Sequence, residues 1–292
     1  MKNQSLSLGL AILALGSISF AQATKPQGKP TPKPTATEAV DQQVHVYKLA
    51  HIVGLELSND AKKSVGEIND VVIDASTGKL VYAVVGQGGA LGVGEKQHLV
   101  PWESLRFMRK DSASTECVAS TTLSGDQIAS SPEYKKGEPI AGAVGSRTNP
   151  TTDKGTVAEP ANARLVSADE LTGTKLQASD KSEYGEIEDV VIAPEQGCVA
   201  YTVLASGGVL GLGEKRIAMP WKATEISRDP NDKQALVART VATKAQLEKA
   251  PEFVSNDWNK MASREWMTDL CAYYSAEPFW NHARAASAPK AP

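Results

Sequence analysis

The chain of 292 residues carries a formal charge of −3 at pH 7, with 41% hydrophobic and 22% charged residues. That balance is ordinary for a globular chain. It lacks the basic stripe with which a nucleic-acid binder meets phosphate, so no nucleic-acid partner is expected. The length suits about two domains.

At the N-terminus, Lys2, the apolar run from Leu6 to Phe20 and Ala21-Gln22-Ala23 have the three-part layout of a secretory signal. Residues 1–23 are predicted to be removed by cleavage after Ala23, which places the mature chain in the periplasm or outside the cell. The run is shorter than the ~20 residues that span a bilayer, so no stable transmembrane anchor is expected; an uncleaved anchor is the alternative. No cysteine follows the cleavage site to carry a lipid. Residues 24–44 are rich in Pro, Thr and Lys without apolar period, and read as a disordered linker. Lys25, Lys29 and Lys33 make it locally basic, which suits solvation or a loose contact with an anionic surface.

The first module is placed at 45–134. A short strand near Leu55–Leu57 precedes two β-branched runs, Ile68–Ile73 and Leu80–Val85, separated by the turn residues Asp74-Ala-Ser-Thr-Gly78. This is the signature of an antiparallel hairpin. The runs are almost continuously apolar, as in strands covered on both faces. Gly88-Gly-Ala-Leu-Gly-Val-Gly94 follows. It lacks a Gly-Lys-Ser/Thr ending, the G-x-G-x-x-G spacing and a helix behind it, so it reads as a bend at a barrel corner rather than a phosphate cradle. Leu91 at its centre is a candidate plug of the barrel mouth or an apolar contact point. Pro101 cannot donate to a ladder and marks an edge or bend. Trp102 is expected over the open barrel end, its indole N–H in need of a partner. Asp70 lies inside an apolar run, where a carboxylate needs hydrogen bonds. It is expected to be a fixed acceptor for turn N–H groups or a partner of a cation, rather than a catalytic acid. Ser124-Gly-Asp-Gln127 has the capping-box form, and the short helix it opens is expected to end by Pro132.

Residues 135–163 read as a linker. Ser167-Ala-Asp-Glu170 then caps a turn that opens a second module at 164–253. This module repeats the first at a shift of 119: aligning 49–134 with 168–253 needs no gap and gives 29 identities in 86 positions. Asp189, Leu210, Pro220 and Trp221 repeat Asp70, Leu91, Pro101 and Trp102, and Thr243-Lys-Ala-Gln246 repeats the helix cap.

Residues 254–292 have no counterpart in the first copy. This Trp- and Tyr-rich tail is predicted to form a helix begun at Ser263 and stopped before Pro278, with Trp266, Leu270 and Tyr274 as its buried face. It either packs on the modules as a clasp, the reading adopted here, or offers its aromatic face to a partner.

Cys117, Cys198 and Cys271 do not follow the repeat. In an oxidising compartment any two of them allow one disulfide, and the alternative is that they are buried small hydrophobes. His45, His51, His98 and His282 are scattered, which gives no metal-ligand spacing.

The ordered set G-x-I-x-D-V-V-I, hairpin, glycine loop and V/M-P-W, present twice, resembles the PRC-barrel family. The resemblance implies a mainly β fold of two tandem small antiparallel PRC-type β-barrels, each with a short closing helix, followed by the helical tail. Relatives such as the photosynthetic reaction-centre H subunit and a ribosome-maturation factor use the barrel as a docking surface. No cofactor ligand carries over, and no catalytic, cofactor or metal residue is assigned. The function expected is that of an exported, non-catalytic binding or scaffold protein of the bacterial cell envelope, docking one or more envelope proteins. The alternatives are an accessory subunit of an electron-transfer or reaction-centre-like complex, and a thiol-dependent enzyme.

Overall fold

The computed structural model describes residues 45–88, 94–110, 116–138, 140, 165–207, 214–229, 232 and 235–281. The signal and linker at 1–44, Leu91, Leu210, His282 and most of the 135–163 linker lie outside the described residues.

The first copy contains β2 (Glu56–Asn59), β3 (Ser64–Asp74), β4 (Leu80–Gln87), β5 (Lys96–Pro101), β6 (Leu105–Arg109) and β7 (Cys117–Thr121), paired in the order β5-β4-β3-β2-β7-β6. The second copy contains β9 (Lys175–Gln177), β10 (Glu183–Ala193), β11 (Cys198–Ser206), β12 (Lys215–Pro220), β13 (Thr224–Arg228) and β14 (Leu236–Thr240), in the matching order β12-β11-β10-β9-β14-β13. The duplication seen in the sequence is thus a duplication of topology.

Two features of the expected barrels need correction. The sheets are not closed: β5 and β6 end one path, β12 and β13 the other. They are also not wholly antiparallel, because β2 pairs β7, and β9 pairs β14, in parallel. The reason lies in the Pro-Trp step. Pro101 has no N–H, and a 3₁₀ turn at Trp102–Ser104 redirects the chain, so that β6 pairs with β7 and not with β5. The segment after the short helix partly covers the edge left at β5: Leu99 N–H donates to the Pro132 carbonyl at 2.8 Å, and Tyr134 N–H to Gln97 at 2.8 Å.

Helix α1 (Gly125–Ala129) is capped by Ser124 and α3 (Lys244–Glu248) by Thr243, each through a full capping box. Each buries one apolar side chain, Ile128 and Leu247. Within β3 and β4 both faces are covered. Ile68, Val71, Ile73 and Val85 belong to the main core, whereas Val72, Tyr82 and Val84 form a second layer with Leu99 on the outer side. This is why the run reads as continuously apolar rather than alternating.

The opening strands of the two copies are exchanged. β1 (Tyr47–Lys48) precedes the first copy but pairs with β10 of the second, Tyr47 opposite Ile192. β8 (Leu165–Ser167) precedes the second copy but pairs with β3 of the first, Val166 opposite Ile73. Helix α2 (Ala168–Leu171), capped by Ser167, follows β8 against β3. The Ser167 cap therefore opens the second copy while sitting on the first. The chain then returns to its own module, for Gly54 N–H donates to Ile68 and Gly173 N–H to Ile187, both at 2.8 Å. The hairpin tips of the two copies also meet. Leu80 N–H donates to the Gly197 carbonyl and Val199 N–H to the Gly78 carbonyl, each at 2.8 Å. One buried cluster accordingly runs through both copies.

In the tail, α4 (Trp258–Met261) and α5 (Arg264–Tyr273) lie on the outer layer of the second copy, and Ser263 caps α5 by accepting Trp266 N–H. The buried face differs from the one expected. Met267, Leu270 and Cys271 are buried, at the i, i+3, i+4 spacing of one helical stripe, whereas Trp266 and Tyr274 flank that stripe and stay partly exposed. Trp266 still packs, edge-on to Tyr201 with ring centroids 5.5 Å apart, and the Tyr273 hydroxyl donates to the Gln246 carbonyl at 2.7 Å.

Candidate functional site

The turn Asp74–Gly78 between β3 and β4 is set by its own side chains. Asp74 Oδ1 accepts the Ser76 N–H and hydroxyl at 2.9 and 2.6 Å, and Gly78 takes a left-handed φ of 77°. A Cβ at Gly78 would lie 2.6 Å from the Trp221 ring, so this glycine provides both the turn and the close approach of the other module. Its repeat Gly197 has a φ of 64° and faces Trp102.

Each Pro-Trp pair therefore belongs to the joint between modules and not to the mouth of its own barrel. Trp102 is buried, stacks on Phe107 with centroids 4.7 Å apart, and donates its indole N–H to the Pro194 carbonyl of the second copy at 3.0 Å. Trp221 is equally buried, but its Nε1 has no partner among the described residues. The indole of the same Pro-Trp step is thus satisfied in the first copy and lacks a partner among the described residues in the second.

Between these tryptophans opens a cleft of about 840 Å³. Its walls include Trp102, Phe107, Trp221 and Phe279, and its rim carries charged side chains from both copies. The acidic residues at the rim are Glu103, Glu195 and the exposed Glu277; Lys79 Nζ lies 3.3 Å from Glu103 Oε1, and His45 Nδ1 lies 3.0 Å from Glu195 Oε1. The cations Arg106 and Lys222 are exposed and have no ion pair among the described residues.

Asp70 and Asp189 come together, 119 positions apart in sequence, as walls of a smaller cleft of about 340 Å³ formed where the exchanged segments meet. Asp70 Oδ1 accepts Val71 N–H at 2.8 Å and Asp169 N–H, from the first turn of α2, at 3.3 Å. This is the acceptor role expected of it, exercised across the module boundary. Burial raises the Asp70 carboxyl above its ordinary range against these hydrogen bonds; Asp189, holding Val190 N–H at 2.8 Å, is raised for the same reason.

The three thiols are free in this structure, Cys117 and Cys271 buried and Cys198 partly so. Burial pushes Cys117 and Cys271 up to about 11 and Cys198 up to about 12, away from the range of a reactive thiolate. Among the described residues no group of three or more His, Cys, Asp or Glu side chains is placed to hold a metal ion, and no helix is long and apolar enough to cross a membrane. His98 Nδ1 lies 3.1 Å from the Ser131 carbonyl, and His51 sits edge-on to Trp258. Leu270 lies in the core layer under the tail, away from both clefts.

Sequence reasoning missed the cleft, Arg106 and Lys222. The signal in the sequence was indirect: the two copies carry opposite charges at equivalent places, Glu103 against Lys222 and Arg106 against Glu225.

None of the curated proteins matches the chain. The sequence model of the PRC-barrel domain matches residues 45–114 and 164–241, together about half of the chain. Each match begins at an exchanged opening strand, and the first stops short of β7, which nonetheless pairs with β2 in the same sheet. With matching topology in both copies, the chain belongs to the PRC-barrel family, as two such domains in tandem.

Proposed function

We propose that this chain is an exported, non-catalytic binding protein of the bacterial cell envelope that docks another protein on the outer face of β6 and β7. One observation carries this reading. Met108 and Val118 are directly opposite each other on those strands and both are exposed, Met108 by 57%. Met108 continues into the wall of the large cleft. In the second copy Val237 repeats Val118, but Ser227 takes the place of Met108 opposite it and is tied to Arg239 by a hydrogen bond of 2.8 Å. Methionine and other adaptable apolar side chains are favoured where partners pack, and a duplicated module that carries the methionine on one copy only has specialised that copy. The secretory signal pattern supports the envelope location.

The test is site-specific photo-crosslinking in living cells, with the photoreactive residue at position 108 and, as internal control, at 227. A discrete adduct from 108 and none from 227 is expected. Equal labelling from both positions, or none from 108, refutes the docking face. Fractionation tests the location separately: the mature protein is expected in the periplasmic fraction or the medium, beginning at Thr24.

A further inference from the structure

We propose that the free edge of β6 takes an extended segment of the docked protein as an added strand, seated in the cleft between the two modules. The inference deepens the docking reading and rests on it, since it names how the partner of the β6 and β7 face is held.

The edge is set by the ladder. Among the described residues β6 pairs only with β7. Continuing the same register, Lys110 N–H donates to the Glu116 carbonyl at 3.0 Å, and the Thr121 hydroxyl donates to the Ser104 carbonyl at 2.9 Å. The even positions of this stretch therefore face β7, and the backbone groups of Leu105, Phe107 and Arg109 point away from it. Leu105 N–H is used by the Trp102 carbonyl in the 3₁₀ turn. The N–H and carbonyl of Phe107 have no partner among the described residues. Four consecutive residues of the strand, Leu105 to Met108, line the cleft. Side chains alternate along a strand, so a run without alternation means that the edge, and not one face, is turned to the opening. β13, which repeats β6, contributes none of its residues there.

The unpaired polar groups at the cleft are of both kinds. Trp221 Nε1 is a buried donor and Gln196 Oε1 a buried acceptor, each without a partner among the described residues, and both residues line this cleft. The Phe107 N–H and carbonyl add one more of each. A carboxylate supplies acceptors alone and an ammonium donors alone, whereas every peptide group carries one donor and one acceptor. Charge at the rim is balanced, Glu103, Glu195 and Glu277 against Lys79, Arg106 and Lys222. An extended chain meets these groups through its backbone and sets alternate side chains between the aromatic walls, which is how strand addition obtains affinity and selectivity. The chain's own ends fit poorly. Residues 24–44 carry no apolar side chain larger than valine and 282–292 none larger than proline, too small to fill about 840 Å³ walled by Trp102, Phe107, Trp221 and Phe279. A partner that brings the strand also covers the exposed Met108 and Val118 beside it.

The experiment selects a displayed library of random heptapeptides on the mature chain and titrates the enriched peptide calorimetrically. Each backbone N–H of that peptide is then methylated in turn. Weakening of about tenfold at every second position, with little change between, is expected, because the groups that face one edge recur with period two. Two variants test the same contact from the other side. Phe107→Pro removes the outward N–H and keeps the ladder to β7, whereas Phe107→Ala loses the same ring and keeps the N–H. The proline variant is expected to abolish binding and the alanine variant to weaken it less; where Phe107→Pro loses its native melting transition, the methylation scan decides alone. The proposal is overturned if no peptide is enriched, if methylation acts without alternation, or if the two variants bind equally. Enrichment that appears only after deletion of 24–44 or 282–292 assigns the edge to the chain's own segment, and a dimer dispersed by Phe107→Pro assigns it to a second copy; either outcome also overturns the proposal. Crosslinking at position 108 separates the two readings. An adduct from 108 without alternation in the scan leaves docking standing and removes the added strand, whereas no adduct from 108 removes both.

Discussion

Trp102 and Trp221 form a comparison built into one molecule, and replacing each by Phe tests how the modules are joined. Both rings are buried to a similar extent, 4% and 3% exposed, at equivalent places of the repeat. The apolar loss on shortening Trp to Phe should therefore be similar at the two sites. The indole N–H differs. At position 102 its removal deletes a buried hydrogen bond to Pro194, whose carbonyl keeps a 3.2 Å bond from Gly197 N–H. With the acceptor still partly served, the loss should be the net value of one hydrogen bond, about 0.5–1.5 kcal/mol. At position 221 the N–H has no partner among the described residues, and leaving a donor buried in that way costs about 1–3 kcal/mol, which Phe removes. Trp102→Phe should thus be more destabilising than Trp221→Phe by at least about 1 kcal/mol. Urea unfolding of the two single variants, with unchanged slope and shifted midpoint, measures the difference. Equal losses, or a larger loss for Trp221→Phe, would show that the Trp102–Pro194 bond does not help to hold the two modules together.

Three further outcomes are expected. Because β1 and β8 are exchanged, a chain cut at a protease site inserted within 141–163 should elute as one particle until denaturant is added; separate elution of the halves under native conditions would contradict the exchange. The Asp70 carboxyl is raised by burial above the ordinary carboxylate range, so the native state binds the proton more tightly than the unfolded chain does. Its contribution is fully present below the ordinary carboxyl value of the unfolded chain and is lost as pH rises through the raised folded value. Asp70→Asn should remove that step, its melting temperature gaining on the wild type as pH rises from acid to neutral, and a constant gap across the titration would refute the assignment. In the tail, Leu270→Ala should cost about 2–5 kcal/mol as a fully buried truncation. Trp266→Ala should cost less, because the indole is partly exposed; the reverse order in chemical denaturation would return Trp266 to the buried face.

Local pattern made much of this fold legible. The β-branched runs at 68–73 and 80–85, the Asp74–Gly78 turn, the capping boxes at Ser124, Ser167 and Thr243 and the repeat itself depend on residues close together in the chain, and the structure contains each of them. The acceptor role of Asp70 was legible too, since a carboxylate inside an apolar run has few other ways to be buried. The seam of the tail helix was only half legible: bulk drew attention to Trp266 and Tyr274, while the stripe facing the second copy is set by Met267, Leu270 and Cys271. What the sequence determined by itself was which residues form strands, where they turn and that the unit occurs twice. Which sheet each opening strand joins was decided only by the tertiary structure. Tyr47 and Val166 have the same local pattern whichever module they pair with, and the two choices differ in packing and in loop closure over the linker, a term that varies slowly with length. The Pro194 acceptor for Trp102, the burial of Trp221 against Gly78 and the cleft between the two tryptophans all follow from that exchange, because they lie where one copy meets the other, between residues that no local spacing relates.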